Sequence, residues 1–296
     1  MIAAIKHVKS LNPLATSESS AGLRSLMKGV ERKSIFSART NLAAYAEDIK
    51  AAVLKNLGGD SNLATGALDL HNALKQYEYD PQTGFPGAPD KNIPPAEPGT
   101  LQDLGSSTRI KLVLTTNFRQ AVNFQKKKAG NEPDALEQYP AWELIRIYDR
   151  EIPRGERRGP KGSIVDVPGD DWPSRFQSAA EVAGDEDALR VFTATGRMIA
   201  RKDSPIWEEL GNPDNFDDAI GTDYPPFAFN SGYGWIEVSR DECVQVGLID
   251  EGDQIAPSDE AFGAELEKDA ASATLADFRA LRADLLKAAN EWRAAA

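Results

Sequence analysis

The sequence predicts an α+β fold in three parts: a helical N-terminal region over 1–100, a mixed domain with a small sheet over 101–252, and a C-terminal helical tail over 253–296. Three observations point there. Apolar residues between Gly29 and Leu57 return at steps of three and four, the period of an amphipathic helix. Proline and glycine crowd the stretch 80–100, where fixed φ and missing amide donors forbid a long helix or a central strand. Beyond it, WELIRIY (142–148) alternates apolar and polar side chains with the period of two that a half-buried strand requires. A chain of 296 residues, 41% hydrophobic and 27% charged, is long enough for a substantial core in one or two domains.

The first helix carries Val30, Ile35, Phe36, Leu42, Tyr45, Ile49, Val53 and Leu57 and stops at Gly58-Gly59, with a break near Ser37. A shorter helix follows over Leu63–Tyr77, and 80–100 reads as an extended connector. Ser106 or Ser107 caps the next helix, whose broad apolar face (Ile110, Leu112, Val113, Leu114, Phe118, Ala121, Val122, Phe124) runs to Gly130. The Gly-, Pro- and Arg-rich stretch 150–175 reads as loop, Val191–Ala200 as a strand around a glycine, and Ile236–Val238 as a short strand. In the tail, Thr274 and Asp277 form a capping-box variant ahead of an apolar face made by Leu275, Phe278, Leu281, Leu285, Ala289 and Trp292.

Residue usage excludes several classes of function. No run of 18 apolar residues is present, so neither a membrane span nor a secretory signal is expected, and the chain reads as cytoplasmic in life or assembly. One cysteine, Cys243, and two histidines, His7 and His71, leave no disulfide framework, no Cys/His zinc site and little for a histidine-based triad. Asp241 and Glu242 beside Cys243 raise its thiol pKa where they point toward it. No cofactor motif and no catalytic residue is singled out, and the chain reads as a non-enzyme without a small-molecule substrate. The alternative is a metal-dependent hydrolase that uses the carboxylates of Asp214, Asp217, Asp218 and Asp223.

The net charge of -12 is unevenly spread. Residues 1–105 balance, 106–165 carry twelve Lys/Arg against seven Asp/Glu, and 203–253 carry thirteen Asp/Glu against Arg240 alone. Lys126, Lys127, Lys128, Arg154, Arg157, Arg158 and Lys161 are therefore the candidate contacts for nucleic acid or an acidic partner. The three lysines also sit in a last helical turn, where the macrodipole alone favours cations. The two oppositely charged segments read equally well as complementary faces of one fold.

Four segments in order carry a resemblance: LQDLGSSTRIKLVLTTNFRQAVNFQKKKAG (101–130), WELIRIYDREIPR (142–154), GRMIARKDSPIWEEL (196–210) and TDYPPFAFNSGYGWIEVSRDEC (222–243). Together they resemble the phage Mu F-like head morphogenesis family, the minor capsid proteins, over about half the chain. Thr116, Asn117, Ala121 and Phe124 stand at the family's helix positions, and Asp149, Arg150 and Arg154 follow its aromatic strand. Pro225, Pro226, Phe227, Phe229 and Trp235, with Asn117, make the motif core. The family's closely spaced cysteines and its histidine after the Arg-rich turn have no counterpart here. The resemblance implies a low-copy structural protein of a virion head, in the head interior or at the portal vertex. Its implied partners are the portal and major capsid proteins, with packaged double-stranded DNA as a further contact. In physical terms the prolines restrict the approach to the last strand, the aromatics supply buried area, and Gly232 and Gly234 permit positive φ.

Overall fold

The computed structural model describes residues 2–16, 34–86, 94–148, 156–158, 164–166 and 171–257. The C-terminal helix expected over 274–292, the Asp149-Arg150 pair, Arg154 and Lys161 lie outside these residues. Helices and a small antiparallel sheet make an α+β fold, as the sequence predicts. The described chain forms two compact units, one ending at Gln125 and the other starting at Lys126.

The first unit is mainly helical. Helix α1 (Ile2–Ser10) leads to β1 (Asn12–Leu14), which pairs in parallel with β2 (Ser34–Phe36). Helix α2 (Ala43–Gly58) is shorter than the helix expected from Gly29, because Ser34–Phe36 is a strand and Arg39 takes φ 61 in the turn that follows. Its glycine stop is as expected: Gly59, at φ 83, returns its amide to Asn56 and Lys55 carbonyls. Helix α3 (Leu63–Gln76) begins at a capping box in which Asn62 and Thr65 satisfy each other's backbone amides. Helix α4 (Ser107–Gly130) starts where Ser106 Oγ accepts the Arg109 amide at 3.1 Å, and from Lys126 onward it belongs to the second unit. Tyr45, Ile49, Val53 and Leu57 of α2 pack with Leu70 and Leu74 of α3 and Ile110, Val113 and Leu114 of α4 in one core.

The expected extended connector is instead folded where it is described. Asp80 and Gly84 exchange backbone hydrogen bonds at 3.1 and 2.7 Å. This turn drives Phe85 between the rings of Tyr45 and Tyr79, with centroids at 5.9 and 5.1 Å. The prolines bar regular structure but not burial.

In the second unit, α5 (Pro133–Gln138) precedes β3 (Ala141–Arg146), the central strand of a three-stranded antiparallel sheet. Its neighbours are β6 (Ile199–Arg201) and β7 (Tyr233–Val238). The expected half-buried strand is buried on both faces over Ala141–Leu144, since Glu143, the polar member of the alternation, is covered and paired with Arg197. Part of the expected 150–175 loop is regular: β4 (Glu156–Arg158) pairs antiparallel with β5 (Ile164–Asp166), and α6 (Trp172–Ala183) starts at an Asp171 cap. The strand expected over 191–200 is half helix. Asp185 caps α7 (Glu186–Thr195), acidic residues fill its first turn, and Gly196 at φ 72 ends it before β6 begins. Two short helices, α8 (Ile206–Leu210) and α9 (Arg240–Gln245), complete the described unit.

Candidate functional site

Phe227 and Trp235 of the motif core meet three further tryptophans in the second unit. Register places Trp142 opposite Glu237 and Leu144 opposite Trp235, so the two indoles are diagonal neighbours on one face of the sheet. Their rings stack at 4.9 Å with 9° between planes. Trp207, carried by α8, meets Trp235 edge-on at 5.3 Å and lies nearly parallel to Phe227 at 6.3 Å. Trp172, from α6, stacks on Tyr233 at 5.0 Å. Rings arranged edge-on and offset match the aromatic quadrupole, each pair adding about 0.5–1.5 kcal/mol to the area buried.

The segment leading into β7 is built for this burial. The Pro225-Pro226 peptide is cis, and both prolines are buried. The Thr222 hydroxyl lies 2.9 Å from the Tyr224 carbonyl and 3.2 Å from that of Pro226, tying the turn to itself. Phe227 is fully buried and Phe229 half-buried. Gly232 has the positive φ expected of it, at 71. Gly234 does not have the positive φ expected of it; a Cβ there would stand 2.0 Å from Cδ1 of the exposed Ile147 side chain.

Cations are drawn into the aromatic centre. Lys202, whose side chain has no exposed surface, donates to the Gly130 carbonyl at 3.0 Å and to Glu237 at 3.1 Å, and its Nζ lies 4.3 Å from the Trp142 ring centroid. Lys126 donates to the Trp235 carbonyl and lies 5.6 Å from the same ring. Burial lowers the pKa of both lysines, and for Lys202 the proximity of Lys126 adds to the effect. Arg175 donates to the Leu210 carbonyl through Nε and Nη2 and to Asp218 through Nη1 at 2.6 Å, with its guanidinium 4.0 Å from the Phe216 ring centroid. Arg197 bridges Glu143 and Glu242, and its hydrogen bonds to Glu143, ahead of those to Glu242, hold its pKa above the ordinary value.

These placements redraw the charged surfaces read from sequence. Lys127 is 8% exposed and bonded to Asp223 at 2.5 Å, and Lys126 is half-buried, so of the three lysines only Lys128 is exposed. Arg157 and Arg158 fall on β4. Asn117 belongs to the first unit, where its amide donates to the Val113 carbonyl at 2.9 Å, while the other motif-core residues belong to the second. Asp218 and Asp223 pair with different cations, Asp214 and Asp217 are exposed, and among the described residues no group of His, Cys, Asp and Glu is placed to hold a metal. His7 stacks on Phe124 at 4.3 Å, and His71 is half-buried on α3. Cys243 is buried, and desolvation first, then Glu242, push its thiol up to about 12.

Arg175 and Lys202 escaped the sequence reading. Arg175 could have been found: it is the one charge among Trp172, Phe176, Ala179 and Ala180 at helical spacing, and such a position requires a partner. Compared with family models, with curated proteins and with solved structures, the chain matches none.

Proposed function

We propose that this chain is a low-copy minor head protein of a tailed phage or prophage, acting in the head interior or at the portal vertex. It associates with the portal and major capsid proteins during head assembly and DNA packaging or delivery. One observation carries the reading: the four segments that resemble the Mu F-like family keep their order from Leu101 to Cys243, and three of them feed one packed centre. The second supplies Trp142, the third Trp207, and the fourth Phe227 and Trp235. A centre of this kind serves as a rigid scaffold for contacts made by the surface around it. The acidic excess over 203–253 gives a field that speeds encounter with a basic partner, most strongly at low salt.

Co-expression with the portal protein of the same particle tests the reading. The two should co-purify, and the chain should be present in purified heads at far fewer copies than the major capsid protein. Absence from particles, no retention on the portal, and a hydrolytic activity lost on Asp217→Ala or Asp218→Ala would together replace this reading with the hydrolase.

A further inference from the structure

In the first unit one guanidinium has no carboxylate partner among the described residues. Arg109, in the first turn of α4, is largely buried, and its Nη2 donates to Ser37 Oγ at 3.0 Å and to the Ala38 carbonyl at 2.8 Å. Both acceptors are neutral. Its Nε is buried without an acceptor, and no carboxylate among the described residues pairs with it. Desolvation first, with Arg39 as a second cation nearby, lowers its pKa. Leaving a buried charge uncompensated is costly, so arrangements of this kind persist where an anion completes them.

A place for that anion lies next to the Ser37-Ala38 segment. Arg39, Asn41, Gln82 and Gln102 line a shallow, solvent-open recess, with Tyr79 and Phe85 in its wall. Arg39 takes φ 61, a left-handed conformation unfavourable to a long side chain, and this backbone geometry sets it at the recess. The carboxylates close by are otherwise engaged. Asp103 accepts the amides of Gly99 and Gly105, each at 2.8 Å, Asp80 accepts those of Gln82 and Thr83, and Asp48 accepts the Tyr77 hydroxyl.

We infer that the recess beside Arg39, backed by the buried charge of Arg109, binds a phosphate group. Arg39 and the side-chain amide of Gln102 contact the oxygens, and Arg109 acts through its field from behind the 37–38 segment. The phosphate comes either as the free ion or as the terminal group of a short nucleotide, for which the half-buried Tyr79 lines the recess. This site is independent of the head-protein reading.

The full chain is titrated calorimetrically with inorganic phosphate, with a 5′-phosphorylated dinucleotide and with its unphosphorylated counterpart, at matched ionic strength. Binding of phosphate alone assigns the free ion. Tighter binding of the phosphorylated dinucleotide, with none of the unphosphorylated one, assigns the terminal group. In either case Arg39→Asn, chosen because asparagine tolerates the left-handed backbone, should weaken binding about tenfold or more while leaving the melting curve without phosphate in place. No binding of either phosphate-bearing probe, binding unchanged in Arg39→Asn, or equal binding of the unphosphorylated dinucleotide would overturn the assignment.

Discussion

The most deeply covered cations of the second unit have carboxylate partners, and the covered arginine of the first does not. In the second, Arg175, Lys127 and Lys202 each have a carboxylate, at 2.6, 2.5 and 3.1 Å, and Arg175 and Lys202 also face aromatic rings. In the first, Arg109 has neutral acceptors and a second arginine for company, with Tyr45 and Tyr79 near it. A paired buried charge fixes which elements meet, because only one arrangement satisfies it. An unpaired one stores a cost that a ligand can relieve. On this contrast the second unit is specified by its interior, and the first keeps a polar demand facing outward.

The largest effects should come from glycines in the second unit, graded by what surrounds them. A Cβ at Gly211 would stand 1.8 Å from the backbone oxygen of Thr222, at Gly130 2.4 Å from the Trp142 ring, and at Gly234 2.0 Å from the tip of the Ile147 side chain. Backbone cannot yield cheaply, a fully packed indole yields little, and Ile147, 47% exposed, can turn away. Gly211→Ala should therefore cost about 3 kcal/mol or more, Gly130→Ala somewhat less, and Gly234→Ala under about 1 kcal/mol, read from urea midpoints. An inverted order would mean that the aromatic centre is more plastic than its packing indicates.

Replacing the two buried arginines tests the contrast directly. Arg175→Met strands Asp218 and removes the donors to Leu210, and should cost about 3 kcal/mol. Arg109→Met also loses two hydrogen bonds but removes an uncompensated charge, so the net change should stay within about 1 kcal/mol of zero. Equal losses at both sites would erase the distinction between the units. Within the second unit, Trp207 donates its indole N–H to the Arg201 carbonyl at 2.8 Å, whereas that of Trp235 is buried without an acceptor. Trp207→Phe should accordingly cost about 1 kcal/mol more than Trp235→Phe in the same assay.

What could be read from the sequence was what local pattern encodes. Helix α4 and strand β3 declared themselves through period and cap, and Gly59 through the glycine stop. The parallel pair β1–β2 did not, because three residues per strand carry no period. Val191–Thr195 resembled a strand because β-branched residues fill it, yet the Asp185 cap and the buried Ala188 and Val191 make a helix the better packing. The charged site was the least legible part. The pairs Arg175–Asp218 and Lys127–Asp223 join residues 43 and 96 positions apart, so charge runs that look like surfaces in sequence are partly consumed inside the unit. The folding of Phe85 under a proline-rich turn was hidden for a related reason, since composition reports which regular structure is barred and not what is buried.

The smallest expected effect concerns Cys243, and it separates burial from charge as the cause of a shifted pKa in the second unit. Its thiol is pushed from 9.0 up to about 12, so between those values the native state holds a proton that the unfolded chain releases. Stability from this group is complete below pH 9 and falls as pH rises toward 12. At pH 9 the unfolded thiol is half ionised, which corresponds to a loss of only about 0.4 kcal/mol. The lowered pKa values of Lys126 and Lys202 act in the other direction, because the native state sheds those protons first and gains as pH rises. Comparing the pH dependence of wild type with that of Cys243→Ala removes the lysine contribution, which both share. The wild type should lose more stability than the variant between pH 8 and 9.5. Because desolvation outweighs Glu242, Glu242→Gln should leave most of that difference in place, and its disappearance in Glu242→Gln would assign the shift to charge.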